Sequence, residues 1–130
     1  MGLLARREHS YTELLRKLLQ RGAPEDLAEI ELERLQSEGL LCDARFCEAY
    51  VYSRSQRGFG PVRLREELRQ RGVADTLIDT VLYDETWGWQ TLAQKVFVKR
   101  FPEGQAKELK ERVRQQRFMQ YRGFGGYWEL

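Results

Sequence analysis

Apolar residues recur at intervals of three and four along most of this chain, which is the spacing of one face of an α-helix. The first such stretch ends at Gly22 and begins after Ser10. Ser10 and Glu13 have the spacing of a capping box, in which each side chain accepts a backbone amide of the other residue. The apolar face of this predicted helix consists of Tyr11, Leu14, Leu15 and Leu18.

Two more helices are predicted before residue 57. Pro24 suits the first position of the second helix, and Gly39 suits its left-handed end. Asp43 is predicted to cap the third helix. The predicted apolar faces are Leu27, Ile30, Leu32 and Leu35 in the second helix, and Phe46, Tyr50 and Val51 in the third.

The rest of the chain has the same helical spacing. Three more apolar faces follow: Val62, Leu64 and Leu68 before Gly72; Leu77, Ile78, Val81 and Leu82; and Trp89, Leu92, Ala93, Val96 and Phe97. The only fragment that resembles a strand, residues 50–52, lies inside a helical pattern. The sequence therefore predicts an all-α fold.

An internal repeat suggests how these helices are grouped. Residues 13–22, ELLRKLLQRG, match residues 63–72, RLREELRQRG, at an offset of 50, and an offset of 46 pairs Phe46 with Leu92 and Arg54 with Arg100. We expect a three-helix unit at residues 1–60 whose first helix is short, a second three-helix unit at 61–104, and a third unit at 105–130 that is incomplete at its C-terminus. Stacked units of this kind predict an elongated, curved helical array.

The tetrapeptide RGFG occurs twice, at residues 57–60 and 122–125. In the register of the repeat, the second copy ends a helix while the first joins two units, so we interpret the identity as coincidence. Gly58 is predicted to end a helix, Gly60 to adopt a positive φ and Pro61 to begin the next helix. Pro61 has no amide hydrogen and no lysine-serine pair follows, which argues against a phosphate-binding loop.

Composition excludes several classes of protein. Charged residues make up 32% of the chain, and no apolar run approaches the roughly 20 residues that span a bilayer, so we expect a cytoplasmic protein without membrane contact. Two cysteines and one histidine provide neither a disulfide framework nor a zinc site. His9 has no catalytic partner in the sequence and is assigned to a helix junction. No enzyme activity, metal or cofactor is predicted.

Charge is distributed unevenly. Residues 23–48 contain eight acidic and two basic residues, whereas residues 95–122 contain nine basic and three acidic residues. Lys107, Lys110, Arg114 and Arg117 recur at intervals that place them along one face of a continuous predicted helix, where they would either contact phosphates or an acidic protein or form a solvated face. The predicted partner-binding residues are Lys95, Lys99, Arg100, Lys107, Lys110, Arg114, Arg117 and Arg122.

Four segments resemble the bacterial RecX family: LLARREHSYTELLRKLLQRG (3–22), EGLLCDARF (38–46), SRSQRGFGPVRLREELRQRG (53–72) and QRFMQYRG (116–123). The resemblance implies tandem three-helix units in a non-enzymatic, monomeric regulator of the RecA recombinase. Such a protein would lie in the helical groove of the RecA–DNA filament and hinder strand exchange, ATP turnover and co-protease activity, with DNA contacts inside the filament left open.

A second hypothesis is direct DNA binding, because three-helix units with glycine turns also resemble helix-turn-helix proteins. The formal net charge of only +2 argues for weak binding to free DNA at physiological salt. Under either hypothesis, the residues expected to form the structural joints are Ser10, Gly22, Gly39, Asp43, Phe46, Gly58, Gly60, Pro61 and Gly72.

Overall fold

The computed structural model describes residues 7–127 of the 130-residue chain. This range contains no strand, so the all-α prediction is confirmed, and none of its helices is long and apolar enough to cross a bilayer. The helices are α1 (Tyr11–Gln20), α2 (Glu25–Ser37), α3 (Asp43–Gln56), α4 (Pro61–Gln70), α5 (Asp75–Leu82), a 3₁₀ helix (Glu85–Trp87), α6 (Trp89–Arg100) and α7 (Leu109–Arg122).

The described residues form two compact units. Unit 1 comprises residues 7–50 and 68–81, and unit 2 comprises residues 51–67 and 82–127. Unit 1 contains a cluster of three buried leucines, Leu14, Leu32 and Leu41, which come from α1, α2 and the segment before α3. The partly buried side chains packed against this cluster are Tyr11, Leu15, Leu18 and Leu35.

Helix α1 begins with the predicted capping box. The backbone amide of Glu13 donates to Ser10 Oγ at 3.0 Å, and the amide of Ser10 donates to the Glu13 carboxylate at 3.2 Å. Ser10 Oγ also donates to the backbone carbonyl of Arg71 at 2.7 Å. Because the first amides of a helix lack partners within it, these bonds fix where α1 starts.

The prediction that Asp43 caps its own helix is wrong. Asp43 is the first residue of α3, and its carboxylate accepts the backbone amide of Tyr11 at 2.8 Å. The side chain therefore satisfies a free amide at the start of α1 instead of α3. Periodicity could identify a capping residue but not the helix that it would cap.

The predicted apolar face of α2 is correct for Leu32 but wrong for two of its members. Leu27 and Ile30 are 59% and 62% exposed, whereas Ala28 and Leu32 are buried. Ala28 and Leu32 are four residues apart and lie on one face of the helix. Leu27 and Ile30 lie outside that buried face. Pro24 precedes the helix as its N-cap residue instead of opening it.

The segment before α1 is held by buried polar contacts. The ring of His9 is 3% exposed, with Nδ1 3.1 Å from the carbonyl of Arg7 and Nε2 3.0 Å from Lys17 Nζ. Burial, together with the charges of Arg7 and Lys17, lowers the pKa of His9. A neutral ring can donate to the carbonyl and accept from the ammonium, which fits a role at a helix junction.

Three glycines of unit 1 follow helices in the left-handed region, as their positions predicted. Gly22, Gly39 and Gly72 have φ values of 90°, 75° and 79°. Gly72 has a second constraint, because a Cβ there would lie 2.0 Å from Thr12 Oγ1. In α3, Phe46 is 2% exposed and Cys47 is fully buried, and burial raises the pKa of the Cys47 thiol to about 11.

Unit 2 has its own buried side chains, which come from α3, α4, the last residue of α5, α6, α7 and the chain after α7. They include Val51, Leu64, Leu82, Trp89, Ala93, Phe97, Met119 and Phe124. Val62 was predicted to belong to the apolar face of α4 but is 53% exposed. It is two residues from Leu64, a spacing that places two side chains on different sides of a helix.

The segment between α6 and α7 corrects another prediction. Helix α7 begins at Leu109, so Lys107 is not part of the continuous basic helix that was expected. Buried Gln115 explains the interruption, because its amide group accepts from the backbone of Ala106 at 3.0 Å and donates to that of Gly104 at 3.1 Å. One side chain thus holds the preceding loop in a non-helical conformation.

Candidate basic groove

The two RGFG segments lie side by side in unit 2. The amide of Gly60 donates to the carbonyl of Arg122 at 2.7 Å, and that of Val62 donates to the carbonyl of Gly123 at 3.0 Å. The Arg122 guanidinium in turn donates to the carbonyl of Arg57 at 3.0 Å. This contact was not anticipated from the repeat, which assigned the two segments unrelated places.

These bonds also bear on whether the N-terminus of α4 could bind a phosphate. Two amides at this N-terminus, those of Gly60 and Val62, already donate to backbone carbonyls, so the segment does not present them to a phosphate. Pro61 begins α4 as predicted. The structure therefore agrees with the argument against a phosphate-binding loop.

The prediction that Gly60 has a positive φ is wrong. Left-handed φ values occur instead at Gly58 (84°) and Gly123 (97°). Gly60 is required for a different reason, since a Cβ there would lie 2.5 Å from the carbonyl oxygen of Gly123 and 2.6 Å from the ring of Phe124. The two segments can approach this closely only because neither position has a side chain.

Arginine and aromatic side chains alternate next to the paired segments. Each guanidinium carbon in this row lies 4.5–5.6 Å from the centroids of the two rings beside it, within cation–π range. The order is Tyr121, Arg63, Phe59, Arg122, Phe118, Arg100 and Phe101. We call this row the arginine–aromatic ladder.

One end of the ladder is balanced by a carboxylate. Glu67 accepts two hydrogen bonds from Arg54, at 3.0 and 3.1 Å, and one from Arg63 at 2.8 Å. The hydrogen bond that Arg63 donates to Glu67 raises the pKa of Arg63. Arg54 also lies over the Phe59 ring at 4.0 Å. At this end of the ladder, Arg54 and Arg63 are therefore both paired with the Glu67 carboxylate.

The other end of the ladder borders an open groove. The groove has a volume of about 450 Å³, and five cationic residues line it: Arg57, Lys95, Lys99, Arg100 and Arg122. Leu92, Val96 and Phe118 contribute apolar surface. Of the residues that the structure describes, no acidic one lines this groove. We call it the basic groove, and its chemistry suits an anionic ligand with apolar parts.

The basic groove contains four of the eight residues predicted to bind a partner: Lys95, Lys99, Arg100 and Arg122. Sequence reasoning missed Arg57, although it is the arginine of the first RGFG. The remaining four do not line the groove: Lys107 precedes α7, and Lys110, Arg114 and Arg117 are exposed on α7. Arg114 lies 3.7 Å from Glu111.

Fold and groove together define an all-α protein with a cation-lined groove on its surface. A profile described as "RecX, second three-helix domain" matches residues 43–82, which contain α3, α4 and α5. "Regulatory protein RecX" from Pseudomonas putida is 47% identical over 124 residues, covering 95% of this chain and 80% of the relative. The protein of the same name from Pseudomonas syringae pv. tomato is 46% identical with the same coverage.

A solved structure agrees with the sequence relatives. The chain described as "Crystal structure of regulatory protein RecX" superimposes with a TM-score of 0.76 at 25% identity, covering 93% of this chain. The match covers 61% of the length of that solved chain. This chain belongs to the RecX family of regulatory proteins. The unit boundaries predicted at residues 60 and 104 stay a prediction.

Proposed function

We propose that this chain is a non-enzymatic, monomeric modulator that binds the RecA–DNA filament in its helical groove and inhibits the recombinase, ATPase and co-protease activities of RecA. The observation that carries the proposal is the basic groove, in which five cations gather without an acidic neighbour in the described lining. The regulatory name of the relatives supports the same conclusion.

The chemistry of the groove fits a filament surface that exposes DNA phosphates or carboxylates. Guanidinium groups bind such anions through pairs of parallel hydrogen bonds, and two ladder arginines, Arg100 and Arg122, line the groove. The ladder limits their conformations, so less side-chain entropy is lost when an anion binds. Each contact is weak, but several along one filament would strengthen binding.

We further propose that Lys110, Arg114 and Arg117 form a second contact with the filament. All three are exposed on α7. Lys107, although it precedes the helix, remains a candidate for the same surface. The runner-up function, direct binding of free DNA, would use the same basic groove and is separated from filament binding by the experiment below.

The proposal predicts that reversing two groove charges will weaken RecA inhibition at least tenfold. The variant is Lys95→Glu with Lys99→Glu, because both lysines are exposed and lie outside the ladder, so the fold should persist. Each lost or reversed contact to a charged partner is worth on the order of 1 kcal/mol, and two should act together. The measurement is RecA ATPase activity against concentration of the variant.

A double reversal on α7, Lys110→Glu with Arg117→Glu, changes the net charge equally and tests the second surface. Labelled protein is also titrated against filaments assembled with a non-hydrolysed nucleotide, single-stranded DNA and duplex DNA. Unchanged inhibition by the folded groove variant contradicts the proposed contact. Loss of free-DNA binding with filament inhibition retained would instead support direct DNA binding.

A further inference from the structure

The basic groove continues beyond its cationic part. A second cavity of about 510 Å³ shares Ser55, Gln56, Leu92 and Lys95 with it, so the two form one groove along α6. From Lys99 to Thr91 the helix rises about 12 Å, at 1.5 Å per residue. The extended groove can therefore hold a chain of several linked groups.

The chemistry changes along this groove. The second part is lined by the aromatic rings of Tyr52 and Trp87 and by the hydroxyls of Thr86 and Thr91, and Lys95 is its only charged lining residue in the part of the chain that the structure describes. Tyr52 is 60% exposed and Trp87 is half-buried. One end of the groove thus suits anions, and the other suits flat, weakly polar groups.

Trp87 is held as a rigid platform. Its ring stacks on that of Trp89, with centroids 5.9 Å apart and planes inclined by 22°. Trp89 is 6% exposed and donates its indole N–H to the carbonyl of Leu82 at 2.8 Å. Asp84 caps the 3₁₀ helix that ends at Trp87 by accepting the amide of Thr86 at 2.9 Å.

We propose that Tyr52 and Trp87 form a base-stacking subsite for single-stranded nucleic acid whose phosphates contact the cations of the basic groove. A cationic groove combined with aromatic platforms is the usual chemistry of single-strand binding, because every unpaired base has a face that can stack. At 3.4 Å per nucleotide, as in one strand of a duplex, about 12 Å corresponds to roughly three nucleotides.

The observations favour a nucleic-acid strand over an acidic peptide. A strand carries phosphates and planar bases in every repeating unit, which matches cations and rings in one continuous groove. Duplex DNA fits less well, since its bases are already stacked within the helix. The inference rests on the proposed function in one respect, that the strand would be the DNA inside a filament. Binding of a free strand tests the subsite independently.

The test compares two oligonucleotides of equal length, fluorescein-labelled oligothymidylate and an abasic strand with the same phosphates, by fluorescence anisotropy. Trp87→Ala and Tyr52→Ala should each weaken binding of oligothymidylate about fivefold or more, whereas binding of the abasic strand should stay the same. Trp87→Phe keeps an aromatic face and should retain most of the affinity. Tyr83→Ala is the control, because Tyr83 is 66% exposed and lies outside this groove.

Thermal unfolding checks that each variant is folded, and Tyr52→Ala carries the test alone if Trp87→Ala is not. The subsite is overturned if folded variants bind oligothymidylate like the unmodified protein, if they lose both strands equally, or if polyglutamate displaces the oligonucleotide at lower concentration than unlabelled oligothymidylate does. RecA ATPase inhibition is measured in parallel. Stacking without inhibition would overturn the proposed function alone, and inhibition without stacking would overturn the subsite alone.

Discussion

The two RGFG segments have the same four residues, and the first glycine of each, Gly58 or Gly123, has a left-handed φ, but their other contacts differ. In the first, Gly60 allows close packing with an ordinary φ, and the half-buried Phe59 ring lies among guanidinium groups. In the second, Gly123 has both a left-handed φ and close neighbours, and Phe124 is fully buried. Identical sequence therefore does not give identical roles.

The difference arises from what lies next to each residue. A Cβ at Gly123 would lie 2.5 Å from Arg63 Cβ, whereas a Cβ at Gly125 would have no described atom within 4 Å. Gly125 is also absent from the glycines with positive φ. The segments therefore approach each other most closely at Gly60 and Gly123, and these are the two glycines at which an added side chain would overlap the other segment.

Phe124→Ala should have the largest effect of the substitutions that test this comparison. Removing a fully buried phenylalanine loses apolar contacts and leaves a cavity, which costs about 3–5 kcal/mol of unfolding free energy. Phe59→Ala should cost about 1–2 kcal/mol, mainly through lost cation–π contacts. Urea denaturation of both variants measures the difference, and equal losses would show that the two rings are equivalent.

Gly60→Ala should have an intermediate effect, about 1–3 kcal/mol, because the new Cβ would overlap backbone atoms that cannot move away easily. The same change at Gly123 should cost more, since it adds the strain of a left-handed φ to overlap with Arg63. Thermal unfolding of the two variants tests the order. A fully stable Gly60→Ala protein would contradict the close approach of the segments.

Gly125→Ala should have the smallest effect, within about 0.5 kcal/mol, because neither φ nor a described neighbour demands glycine there. It is the matched control for Gly60→Ala, since both change the last letter of RGFG. RecA inhibition should also be unchanged. If the two variants are equally damaged in stability and inhibition, the segments share a role and the comparison fails.

The helices were largely predictable from sequence because local spacing decides them. Leu14 and Leu32 were assigned to buried faces and are buried, and Ser10 begins α1 as its capping box indicated. The predictions were wrong where a side chain contacts a different segment of the chain. Asp43 caps α1 instead of α3, and Gln115 holds the loop that excludes Lys107 from α7.

The candidate site was predicted only in part. The excess of basic residues between 95 and 122 identified four cations of the basic groove, since Lys95, Lys99 and Arg100 are close in sequence. Arg57 was missed because it is 38 residues from Lys95 in the chain, and charge counting in a window cannot see such a partner. Tyr52 and Trp87 were missed because they are also far apart in the chain and only the fold brings them to one cavity.

The sequence by itself determined the helical class, the family and most of the helix ends, because capping, periodicity and glycine position act over a few residues. Only the tertiary structure decided that two RGFG segments are paired, that Gly60 is needed for space instead of φ, and that arginines alternate with aromatic rings beside a groove. The pairing of the segments depends on contacts between residues about 60 positions apart, as in the bond from Arg122 to Arg57, and no local pattern encodes such contacts.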